Sequence, residues 1–214
     1  MAARKEDWPA VVKEWAESAR SFAGVRFLVM GPVTYVLVAL GEKPTGGYEV
    51  AIKKFVRVTE QRVKIFVEVR SPAPGDLVAQ VITYPYDVAA VDSEYSEFDI
   101  VASGWHDKNL LHGGPGIALT APSVDTVIKG SLRVAGKVRT DERSLVVRLV
   151  DERGRALAGK TAILPPEVTG WSAFDEVLVV PELRKGRGLL WVSGVDPATG
   201  VLGDAVVVPV KFDP

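Results

Sequence analysis

Hydrophobic positions in this chain follow two periods. Between residues 7 and 23, Trp8, Val11, Val12, Trp15, Ala19 and Phe22 recur at steps of three and four, the spacing of one helical face. Asp7 can cap the start, Pro9 is tolerated in the first turn, and Gly24 suits the exit. Two tryptophans on such a stripe read as core. After Gly24 the period becomes two. Residues 25–30 and 33–40 read as strands divided by Gly31-Pro32, the second nearly all apolar and therefore central in its sheet. Val50, Ile52, Val56 and Val58 alternate with charges, as do Val63, Ile65, Val67 and Val69, which predicts a hairpin. With its tip at Glu60-Gln61, Lys53 faces Glu68 and Phe55 faces Phe66. Two phenylalanines paired on a charged face need a cover, either the helix or a partner protein. Residues 77–84 read as a further strand after the turn at Ser71-Pro72-Ala73-Pro74-Gly75-Asp76.

Residues 93–115 differ in character, with Asp92, Glu94, Glu97 and Asp99 leading to Trp105-His106-Asp107 and His112-Gly113-Gly114-Pro115-Gly116. They read as a tether carrying one short strand near residues 98–101. From Gly116 onward, apolar runs at 117–121, 131–139, 145–150, 156–164, 171–180, 189–192 and 205–212 are separated by turn signals. These are Asp151-Glu152-Arg153-Gly154, Lys185-Gly186-Arg187-Gly188 and Asp196-Pro197-Ala198-Thr199-Gly200. Short strands at such spacing, with no helical pattern, predict an antiparallel sandwich. The expected chain is therefore mainly β: an α+β module with one packed helix over 1–102, a linker over 103–115, and a sandwich over 116–214.

Composition narrows the chemistry. The chain has 214 residues, 47% of them hydrophobic, enough for real cores. A net charge of −1 gives no whole-chain attraction to nucleic acid or anionic lipid. The basic residues Lys53, Lys54, Arg57, Arg62, Lys64 and Arg70 are mixed with Glu60 and Glu68 and lack a ladder of stacking aromatics. Cysteine is absent from the sequence, which excludes disulfides and thiolate chemistry. The apolar region 25–40 is broken by Arg26, Gly31-Pro32 and Thr34, so no membrane span is expected. Residues 1–7 lack the apolar core of a signal peptide, so export implies a leader already removed.

Catalytic and metal constellations find little support. The glycines of Leu40-Gly41-Glu42-Lys43-Pro44-Thr45-Gly46-Gly47-Tyr48 precede a strand, and the lysine precedes the glycines, the reverse of a phosphate loop. His106, Asp107 and His112 on a glycine-rich tether give no preorganised metal geometry. The acidic run lacks the pattern of a calcium loop, and no Gly-x-Ser-x-Gly elbow exists. The expectation is a non-enzyme with no metal and no cofactor. The glycine loop keeps two readings. Gly46 and Gly47 supply positive φ while Tyr48 packs, or Pro44, Thr45, Gly46, Gly47 and Tyr48 form a recognition loop.

Two resemblances sharpen this. The run Thr34-Tyr35 to Leu40, the Thr45-Gly46-Gly47-Tyr48 loop, and Val78 through Thr83-Tyr84-Pro85-Tyr86 resemble the PrcB C-terminal domain family, named for a subunit of a surface protease complex. Ile117 to Pro122, Val134-Ala135-Gly136-Lys137-Val138-Arg139, Val147 to Asp151 and Val207 to Phe212 resemble the immunoglobulin-like domain of bacterial spore germination and sporulation proteins. These resemblances imply an extracytoplasmic assembly protein of the cell envelope or spore, binding a protease or an envelope or spore component. Pro44, Thr45, Gly46, Gly47, Tyr48, Phe55 and Phe66 are its candidate partner-binding residues. Lys43 to Tyr48 also resembles the Asn-Pro-Thr-Thr-Gly-Tyr loop of chagasin-type cysteine-protease inhibitors, and the alternative is direct inhibition through that loop.

Overall fold

A computed structural model describes residues 8–21, 23–92, 94–104, 112–113, 116–139, 144–163, 170–181, 183–195 and 202–214. The chain divides into two compact units, Met1–Phe27 with Pro32–Gly114, and Leu28–Gly31 with Pro115–Pro214. It is mainly β, with one packed helix in the first unit and an immunoglobulin-like sandwich as the second.

The first unit opens with helix α1 (Ala10–Ala19). Pro9 stands at its N-cap, where the carbonyl accepts from the amides of Val12 and Lys13 and the missing proline N–H costs nothing. The helix is shorter than the apolar stripe predicts, because Ala23 already begins a strand. Asp7 and Phe22 lie outside the described residues. Val11, Val12, Trp15, Ala16 and Ala19 are buried, so the stripe is core. Strands β1 (Ala23–Met30), β2 (Val33–Leu40), β3 (Glu49–Arg57) and β4 (Arg62–Arg70) follow where alternation places them. The next are β5 (Tyr86–Asp92), β6 (Glu97–Ser103) and β7 (His112–Gly113). One sheet runs β1-β2-β5 and the other β3-β4-β6-β7, with β6 parallel to β4. Their facing sides share one core. Phe27, Val36 and Val38 meet Val63, Ile65, Val67, Phe98 and Ile100, and the Phe27 and Phe98 rings lie 4.7 Å apart between centroids.

The predicted strand at residues 77–84 does not form. An antiparallel partner for β2 comes instead from Tyr86–Asp92, with Val36 opposite Ala89, and 77–82 stays outside every sheet. The end of the supposed tether, His112–Gly113, pairs with Phe98 and Asp99 of β6.

The hairpin also departs from its expected register. Residues 58–61 connect the strands, with the Arg62 amide donating to Thr59 Oγ1, so Glu60-Gln61 is not a two-residue turn. Lys53 is a β-bulge between Ile52 (opposite Val67) and Lys54 (opposite Phe66). Beside it the Ile52 amide donates to Asp87 Oδ2 of β5 at 2.8 Å. The extra residue inverts the facing of everything beyond it. Phe55 comes opposite Ile65 and packs against the core, while Val56 and Val58 turn to solvent. Lys53 still reaches Glu68, at 2.7 Å.

The second unit contains β8 (Ile117–Ala121), β9 (Thr126–Ile128), β10 (Ser131–Arg139) and β11 (Ser144–Asp151). After these come β12 (Ala156–Ile163), β13 (Trp171–Val179), β14 (Gly186–Val195) and β15 (Leu202–Phe212). Sheet β13-β10-β8 faces sheet β12-β11-β14-β15. Leu132, Val134, Val138, Phe174 and Leu178 from the first meet Leu145, Val147, Leu149, Leu190, Val192, Val208 and Val210 from the second. Two short parallel pairings complete β15. Thr126–Ile128 lies against Val210–Phe212, and Leu28–Met30 lies against Ala205–Val207. The latter segment is the distal part of β1, and its Val29 packs on the sandwich core. The glycines at 186 and 188 belong to β14 and not to a turn. A Cβ on Gly188 would sit 2.1 Å from the Val150 carbonyl oxygen and 2.5 Å from Phe212 Cζ, so only glycine lets the strands and the ring approach there.

Candidate partner-binding site

The glycine loop is clamped along its length by the segment that failed to become a strand. Lys43 and Thr83 exchange backbone hydrogen bonds of 2.9 and 3.0 Å, and the Gly46 amide donates to the Ala79 carbonyl at 2.8 Å. The Thr83 hydroxyl donates to the Thr45 carbonyl at 2.9 Å. Residues 79–83 thus run antiparallel beside 43–46. Gly47 has φ +83°, and a Cβ there would lie 2.7 Å from Val78 Cγ1 and 3.3 Å from Pro72 Cβ. The left-handed backbone and the tight contact both require glycine. Tyr48 is half-buried, with Lys43 Nζ 5.7 Å from its ring centroid. Of residues 43–48, Pro44 and Gly47 are exposed.

The Tyr84-Pro85-Tyr86 run ties this assembly to the helix. The Pro85 carbonyl accepts from the Leu40 amide at 2.9 Å. Tyr84 donates its hydroxyl to Glu42 at 2.9 Å, and Tyr86 donates to Glu17 of α1 at 2.8 Å. The Arg20 guanidinium stands over both rings, 5.9 and 5.7 Å from their centroids, while pairing with Glu17. The bond to Glu42 is the main influence holding the Tyr84 hydroxyl above its ordinary pKa. For Tyr86 burial comes first and the bond to Glu17 second.

What this framework presents outward is residues 77–82. Leu77 is fully exposed, and Val81 and Ile82 are 56% and 61% exposed. The sequence reads the stretch as a further strand. Its apolar side chains were the signal, and the lack of a neighbouring strand is a property of the tertiary structure alone.

Phe55 and Phe66 are not brought together, because the Lys53 bulge sends Phe55 inward. Phe66 stays on the outer face beside exposed Val101, with Lys54 Nζ 4.7 Å from its ring centroid. Helix α1 packs against β2 of the other sheet, so that lysine, not the helix, stands over Phe66. Of the acidic run, Glu97 accepts from Arg62 Nε at 2.7 Å. His106 and Asp107 lie outside the described residues, and among the described residues no three metal-ligating side chains gather. Among them, too, no helix is long and apolar enough to cross a membrane.

Residues 34–92 match the family model described as PrcB C-terminal. Residues 116–201 match that of the immunoglobulin-like domain of bacterial spore germination. The two halves match two families. They are the two that the loop and strand motifs resemble, and each match covers less than half of the chain. An uncharacterized protein of Methanocaldococcus jannaschii is 35% identical over 63 residues, 29% of this chain and 37% of that protein. The chain thus spans little more than a third of that curated relative. Among solved structures, a β-glucuronidase of Bifidobacterium dentium shares 14% identity at a TM-score of 0.31, over 59% of this chain and 30% of its own. A glycosyl hydrolase family 2 member from Bacteroides cellulosilyticus DSM 14838 shares 10% at 0.33, over 86% and 29%. Likenesses this low identify no activity.

Proposed function

We propose that this chain is a non-catalytic interaction protein of the cell envelope or spore whose PrcB-like unit docks a protein partner. One observation carries the reading: an uncharged apolar stretch, 77–82, is held at the surface by the loop at residues 43–48, instead of being folded into a sheet. Exposed apolar groups on an ordered framework favour association. The matches to the PrcB C-terminal family and to a spore germination domain support an extracytoplasmic setting and a protease or a spore or envelope component as partner. Direct inhibition by an inserted loop is not favoured, since the Lys43 and Gly46 amides and the Thr45 carbonyl are engaged within the chain.

The test is a pull-down from envelope and spore extracts with the full chain, read by mass spectrometry. A Leu77→Asp/Ile82→Asp variant and a Val177→Asp control on the second unit run alongside. Docking through the first unit requires a partner lost in the double variant and kept in the control. Equal recovery by all three forms would sink it. If the partner is a protease, its turnover is expected to continue in the complex.

A further inference from the structure

We infer that residues 77–82 take up their partner by β-strand addition, pairing backbone to backbone with an extended, apolar, uncharged segment of another protein. The inference rests on the docking reading above and specifies its chemistry. Leu77-Val78-Ala79-Gln80-Val81-Ile82 has no charge, no glycine and no proline; Val78, Val81 and Ile82 are β-branched, and Leu77, Val81 and Ile82 are bulky, apolar and exposed. Such a hexapeptide favours a strand. Yet among the described residues none accepts a hydrogen bond from the amides of 77–82. The segment's bonds run through its carbonyls, Ala79 to the Gly46 amide and Val78 to the Gln80 side chain. A row of backbone donors with no acceptor among the described residues, beside the exposed side chains of Leu77, Val81 and Ile82, is the unfinished edge that strand addition completes. The loop at 43–46 holds one side of the segment, which lowers the ordering cost of adding a strand on the other. Since the segment is neutral, the incoming strand is recognised by shape and backbone pairing and not by charge.

The probe is a peptide of about ten residues selected by phage display on the full chain. The expected sequences alternate apolar and small polar residues. Binding should slow amide hydrogen exchange within 77–82 by about tenfold or more. Gln80→Pro, which removes one donor, should weaken binding by about tenfold, whereas Gln80→Ala leaves it unchanged. Thermal unfolding of both variants checks that they fold, and the exchange footprint on the unaltered chain stands independently of them. If Leu77→Asp/Ile82→Asp abolishes binding while the amides stay unprotected and Gln80→Pro binds normally, docking survives and strand addition is overturned. Selection of no peptide, or of peptides indifferent to every variant, also overturns it. A concentration-dependent dimer abolished by Gln80→Pro would make a second copy the occupant and overturn the assignment to another protein.

Discussion

Replacing Gly47 by alanine probes how firmly the loop is built. Two costs are visible. A left-handed φ of +83° costs a non-glycine residue about 1–2 kcal/mol. The new methyl would also lie 2.7 Å from Val78 Cγ1, roughly 1 Å inside ordinary carbon contact, and overpacking of that kind adds about 1–3 kcal/mol. The loop could escape by detaching, but that gives up the two Lys43–Thr83 bonds, Gly46 to Ala79 and Thr83 to Thr45, at about 1 kcal/mol each. Detachment therefore offers no cheap relief, and a destabilisation of about 2–4 kcal/mol is expected. Urea unfolding followed by circular dichroism measures it in two backgrounds. In Val78→Ala the clash is gone, so Gly47→Ala should cost only the backbone share, about 1–2 kcal/mol. An equal cost in both backgrounds, or one below about 0.5 kcal/mol, would refute the picture of a packed loop.

Further outcomes follow from the same structure. Phe98→Ala should cost about 3–5 kcal/mol, and a double-mutant cycle with Phe27→Leu should return a coupling of about 0.5–1.5 kcal/mol, both read by urea denaturation. Hydrogen bonds from Lys53 and Arg70 hold the Glu68 carboxyl below its ordinary pKa, and those from the Arg155 amide and Arg133 do the same for Asp151 and Asp175. A depressed carboxylate stabilises above its unfolded pKa and loses that contribution as pH falls through the folded value. Stability should therefore decline below about pH 4, and Glu68→Gln should shallow that decline in a pH series of unfolding midpoints. Tyr84 and Tyr86 are raised, so their contribution is complete below about pH 10 and lost above it, and Tyr84→Phe should flatten the alkaline limb of the same series. Residues 115–214 expressed alone lack Leu28–Met30 and leave the Ala205–Val207 edge of β15 open. Sedimentation should show self-association that a covalently appended copy of residues 25–31 suppresses, and a stable monomer without it would contradict the pairing.

Much of this fold is legible in the sequence where one physical rule acts alone. Residues 33–40 are apolar on both faces and form the central strand β2. Ser131–Arg139 and Trp171–Val179 alternate and pair along their full length. Reading fails where tertiary context chooses. Nothing about Lys53 marks a bulge, since a surface lysine fits either register, yet it decides which way Phe55 and Val56 face. Gly186 and Gly188 look like turn residues, and their reason lies in Phe212, distant in sequence. Residues 77–84 carry a correct local strand signal with no strand to meet it. Gly46 and Gly47 of the loop motif serve as scaffold, and the large apolar side chains exposed beside them are Leu77, Val81 and Ile82, which the motif does not contain.

The parallel pairing of Leu28–Met30 with Ala205–Val207 also bears on how the second unit is made. Its partners are on the order of 180 residues apart, so the pairing has very high contact order. Closing so long a loop adds little to the equilibrium cost, about 0.6 kcal/mol for each doubling of length. The kinetic consequence is larger. During synthesis Leu28–Met30 leaves the ribosome early, but its pairing with β15 waits until residues 202–212 emerge, so the outer edge of β15 is among the last contacts to close. The sandwich therefore passes through a stage in which β14 keeps an open edge, the stage at which a chaperone or a neighbouring nascent chain finds most to bind.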